Sequence, residues 1–173
     1  MRLPRHGVWL RALRDDEIQV SDGVPRLCGG CLRAPGGSET TVADAVRFGS
    51  RRDFHSSFVH LTGAPLVALH YALAGGGGKW MVALDAERVT THCTITDLRC
   101  AAGRKEAGLA IGSHEDILAA NSQEILVSWG LSESYVLAFF DASRMSQGTQ
   151  AYAAPDHEEL LGGDARRSAA SVQ

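Results

Sequence analysis

At 173 residues, 45% of them apolar, the chain is long enough for one domain with a buried core and too apolar for a disordered one. Its net charge of −3 excludes a protein that wraps nucleic acid through bulk positive charge. No apolar run approaches the roughly 20 residues of a membrane helix, and the N-terminal residues lack the apolar stretch of a secretory signal. A cytoplasmic protein without membrane contact is therefore expected.

In chain order, Val8, Leu10 and Ala12 alternate with Trp9, Arg11 and Leu13, which predicts a first strand over residues 8–14. The acidic turn Asp15-Asp16-Glu17 ends it. On such a strand Arg11 and Arg14 take opposite faces. Residues 18–39 carry glycines, prolines and two cysteines and read as an irregular loop. Cys28-Gly-Gly-Cys31 has the spacing of a metal or redox pair. His92, Cys93 and Cys100 could add ligands but do not repeat that spacing. The four cysteines read as reduced thiols, with no disulfide and no metal expected.

Thr40 or Thr41 caps a helix that ends at Gly49, and residues 57–62 form a short strand. Pro65 opens a helix over 65–74. The glycines 75–78 follow a helix and precede a strand, the wrong order for a phosphate-cradling loop, and read as a connector. A strand over 79–84, a turn or short helix over 85–89 and a short strand over 94–98 come next. Residues 102–108 read as loop, and so do 112–123, with a possible helical turn at 115–120. Strands follow at 124–129 and 133–141. From 142 the chain is poor in apolar periodicity and is expected to be a flexible tail. Strands outnumber helices and no repeat is evident, so the class is α+β, with one domain over 1–141 and the tail over 142–173.

Three separated segments share a pattern. Leu10-Arg11-Ala12 is a strand carrying an arginine before an acidic turn. Phe58-Val59-His60-Leu61-Thr62, with Ser56 and Ser57 before it, is a polar strand before a helix. Asn121-Ser122-Gln123-Glu124-Ile125-Leu126-Val127 is a loop leading to a strand opened by a carboxylate. In that order they resemble the ADP-ribosyltransferase superfamily over roughly residues 8–141.

The resemblance implies a split antiparallel sheet with a few short helices. It also implies an enzyme that moves ADP-ribose from NAD, the co-substrate, to an acceptor and releases nicotinamide. It implies that Arg11 binds the NAD phosphates, that Ser57, His60, Thr62 and Tyr71 contact the nicotinamide end, and that Glu124, with His60 and Thr62, carries catalysis. A guanidinium suits phosphate oxygens. A fixed carboxylate suits the positive charge that develops on the ribose as nicotinamide leaves.

The sequence departs from the family at His60, which stands where a serine is usual, and at Ser122, where a glutamate or glutamine often selects the acceptor. The acceptor, protein or nucleic acid, is therefore left open, as is the oligomeric state. Alternatives are an inactive module of the same fold that binds NAD, ADP-ribose or protein, and an enzyme resembling RNA 2′-phosphotransferases. A third is a zinc-supported domain built on the cysteines.

Overall fold

The computed structural model describes residues 7–36, 40–51, 54–74, 79–147 and 151–153. Eleven strands and five α-helices are present among them. The expected connector at Gly75–Gly78 and the tail beyond Ala153 lie outside the described residues, as do Arg52 and Asp53.

The centre is a seven-stranded sheet, antiparallel at every junction, in the order β11-β10-β6-β1-β5-β8-β7. Its strands are β1 (Val8–Ala12), β5 (Phe58–Thr62), β6 (Trp80–Asp85), β7 (Ile95–Asp97), β8 (Glu124–Ser128), β10 (Val136–Asp141) and β11 (Ala151–Ala153). Two ribbons sit apart from it: β2 (Ile18–Ser21) with β3 (Val24–Leu27), and β4 (Cys31–Arg33) with β9 (Gly130–Ser132). The helices are α1 (Val42–Phe48), α2 (Pro65–Ala74), α3 (Ala86–His92), α4 (Ala101–Glu106) and α5 (His114–Ser122). The α+β class stands.

Alternation along the strands gives the sheet two distinct faces. One carries Trp9, Val59, Leu61, Val82, Leu84, Ile125, Val127 and Phe139. These pack under α3 and the two ribbons with Leu27, Leu32, Val89 and Leu131. The other face is covered in two pieces. Helix α2 lays Ala68 and Ala72 on Met81, Leu10, Ala12 and Phe140, while α1 and α5 enclose Leu126, Leu98, Ala45 and Ala119. Between these two apolar patches lies a polar strip formed by β5 and β8.

Several expectations are corrected. Within the loop expected over 18–39, residues 18–33 are not irregular, because Asp22 and Gly23, both at positive φ, close the β2–β3 hairpin, and β4 follows; residues 37–39 lie outside the described residues. The basic stretch after Cys100 is helix α4, with the Cys100 side chain accepting the Gly103 amide at its N-cap. The stretch taken as loop before Glu124 is largely helix α5, capped by Ser113. The first strand ends at Ala12, so Arg14 is a turn residue rather than the opposite face of a strand. The helix from Thr41 to Gly49 and the helix opened by Pro65 form as expected. Beyond 141, residues 142–147 form 3-10 turns and β11 pairs with β10.

Candidate functional site

Strands β5 and β8 pair with Thr62 opposite Glu124 and His60 opposite Leu126. Thr62, His60 and Glu124 therefore share one face, and His60 reaches Glu124 along the diagonal. Its Nδ1 lies 2.7 Å from Glu124 Oε1 and its Nε2 lies 3.1 Å from Ser56 Oγ. Both side chains of the pair are mostly buried, 20% and 12% exposed. Residues 64 apart in sequence thus meet on the polar strip.

The chain aims Glu124 by an abrupt change of direction. Helix α5 ends at Ser122. Gln123 takes the left-handed conformation (φ 50°), and its carbonyl accepts the Gly63 amide at 2.9 Å. Strand β8 then opens on Glu124. The base of α5 is pinned at its other end. The backbone amide and Arg47 hold Glu115 below the usual carboxylate range, and the Gly112 amide and Arg104 do the same for Asp116. Glu115, in the first turn of α5, is roughly 10 Å along the helix axis from Ser122, so it is no substitute for Glu124.

Thr62 is buried, and its hydroxyl is engaged locally. It donates to the Ser122 carbonyl at 2.5 Å and accepts the Ala64 amide at 2.9 Å. Thr62 thereby ties the end of β5 to the end of α5. Ser57 faces Thr40, with its Oγ 3.2 Å from Thr40 Oγ1, and fastens the entry to β5 to the residue before the α1 cap Thr41. Tyr71 stands half-exposed on α2. Burial first, then the Glu124 charge, pushes its phenol above the ordinary value.

Arg11 sits elsewhere than the motif pattern suggests. Leu10 pairs with Thr62, so alternation puts Arg11 on the opposite face from the His60 and Glu124 side chains. Its guanidinium donates to the His60 carbonyl at 2.8 Å and to Glu17 at 2.5 Å. Glu17 is buried and also meets Arg14 at 3.1 Å. Arg11 thus grips β5 through the backbone of the very residue that meets Glu124.

Three contributors were not given roles by the sequence pattern. In the sequence Glu17 is only the end of an acidic turn. Ser56 was one polar residue among several. Gly49 was a helix stop, yet a Cβ there would stand 2.3 Å from His60 Cε1, so the absent side chain makes room for the imidazole. The nearest sequence signal for Ser56 is a histidine four residues on. Nothing local announces the others.

Away from this strip, a groove of about 250 Å³ is lined by Trp9, Ala86, Glu87, Thr90, Thr91 and Arg99. Its Arg99 lies over the Trp9 ring and is held by Asp97. Among the described residues, no group of three or more His, Cys, Asp or Glu could hold a metal ion. None of their helices is long and apolar enough to cross a membrane.

No protein-family model matches the chain, and no curated protein matches it. Solved structures do. EcPltA, a toxin with an ADP-ribosyltransferase-like fold, superposes with a TM-score of 0.53 over 88% of this chain and 87% of its own, at 11% identity. At that identity the likeness is one of fold.

Proposed function

We propose that this chain cleaves the bond between nicotinamide and ribose in NAD and passes ADP-ribose to an acceptor. The observation that carries this reading is the His60–Glu124 contact of 2.7 Å on a polar strip between two apolar patches. A carboxylate held there can stabilise the positive charge that builds on the ribose as nicotinamide departs. It can also accept a proton from the incoming nucleophile. Thr62 braces the strand end. Arg11, through the His60 carbonyl, braces β5. The likeness of fold to EcPltA supports the reading.

The test is nicotinamide release from NAD by wild type beside Glu124→Gln, with thermal unfolding matched. We expect release by wild type and a loss of at least about a hundredfold in the variant. Release by both would remove Glu124 from the chemistry.

A second reading is a module that binds NAD or ADP-ribose without turnover. It is favoured by Glu17, whose carboxylate already neutralises Arg11 and competes with any phosphate for it. In that case NAD raises the melting temperature while neither protein releases nicotinamide.

A further inference from the structure

We infer that Ser56 is a positioning residue for the proposed reaction, setting the orientation of the Glu124 carboxylate through His60. The inference rests on Glu124 having the role proposed above, and it draws on three side chains joined by two contacts. Ser56 Oγ is 3.1 Å from His60 Nε2, and His60 Nδ1 is 2.7 Å from Glu124 Oε1. A hydroxyl, an imidazole and a carboxylate in that order have the layout of a serine nucleophile, its base and the acid that orients the base.

Ser56 cannot serve as that nucleophile. It is 2% exposed, and its Oγ accepts the Phe58 amide at 3.0 Å. The line therefore works in the other direction. The Phe58 amide takes one of the two Ser56 lone pairs, and the Glu124 carboxylate calls for a proton on Nδ1, which leaves Nε2 a lone pair for the Ser56 hydroxyl proton. A neutral imidazole that accepts at Nε2 carries its own proton on Nδ1, which donates to Glu124 Oε1. The other neutral tautomer would set the Nδ1 lone pair against a carboxylate oxygen.

The ring is also held sterically. A Cβ on Gly49 would lie 2.3 Å from Cε1 and 2.9 Å from Nδ1, so the end of α1 closes on the imidazole edge. Glu124 Oε1 is thereby committed to His60. Oε2 lies 3.4 Å from Ser122 Oγ, a hydroxyl that is closer to the Leu118 carbonyl at 2.9 Å. Oε2 is the oxygen left for substrate. The histidine in place of the usual serine is then one half of a two-residue device rather than a lost function.

The experiment uses the full chain, labelled with ¹⁵N, at alkaline pH. The His60 signals are identified by their loss in His60→Asn. We expect wild type to show the Nδ1–H tautomer, and Ser56→Ala to mix in Nε2–H. In the same variant, kcat for nicotinamide release should fall about tenfold with KM unchanged. Ser56→Thr, which keeps the hydroxyl, should retain the Nδ1–H tautomer. An Nε2–H ring in wild type overturns the inference even if Ser56→Ala fails to fold. So does a folded Ser56→Ala with unaltered tautomer and kcat. If wild type releases no nicotinamide, the NAD reading fails while the tautomer still decides whether Ser56 orients the pair.

Discussion

Glu17 holds two arginines with one carboxylate, and its removal tests how much of the strip's geometry depends on the opposite face of the sheet. Its side chain is 6% exposed and that of Arg11 is 11%. Glu17→Ala leaves the Arg11 guanidinium buried with its charge uncompensated, which we expect to cost about 3 kcal/mol in urea denaturation. Gly49→Ala should be destabilising by about 1–3 kcal/mol, and activity should fall further than stability because the displaced ring is the partner of Glu124. Tyr71 supplies an electrostatic check. Two causes raise its phenol pKa, burial and then the Glu124 charge. Glu124→Gln removes the second, so Tyr71 should ionise at lower pH than in wild type, read by ultraviolet difference absorbance against Tyr71→Phe. The sequence carries His60, Thr62 and Glu124 openly because motif order locates them. It does not carry Glu17 or Gly49, whose roles exist only after β1, α1 and β5 come together.

Among the elements, α5 and its junction with β8 decide where Glu124 points. Gln123 adopts a conformation that costs a residue with a Cβ about 1 kcal/mol. Gln123→Gly should therefore leave the fold no less stable by thermal unfolding. The acidic start of α5 gives a pH dependence of defined sign. Glu115 and Asp116 are both held below their ordinary carboxylate range in the folded chain. The unfolded chain thus takes up protons first, and their contribution is complete at neutral pH. It is lost as pH falls below about 4 and on through the lowered values. A Glu115→Gln, Asp116→Asn double variant should flatten that acid limb in chemical denaturation. Helices α4 and α5 were hard to read from sequence because they are short and only partly apolar on one side. Strands β5 and β8 are legible as short stretches rich in apolar residues. The β2–β3 hairpin had a usable signal in Asp22-Gly23, which the surrounding glycines and prolines obscured.

At the scale of the whole molecule, the α+β class followed from counting strands against helices, but the strand order did not. Strand β10 pairs with β6 and β8 with β5 across more than fifty residues of intervening chain, and no local pattern encodes such partners. That order has a mechanical side. Strands β1 and β5 meet through one residue pair, Leu10 with Thr62, whereas β1 and β6 share five. The sheet is thus two plates, β11-β10-β6-β1 and β5-β8-β7, joined along a thin weld that the Arg11 guanidinium helps to close. Amides along the weld should exchange with solvent ahead of those inside either plate. His60, Thr62 and Glu124 all belong to the second plate, while Arg11 belongs to the first. A ligand gripping both would act as a rivet, slowing exchange on the two sides together.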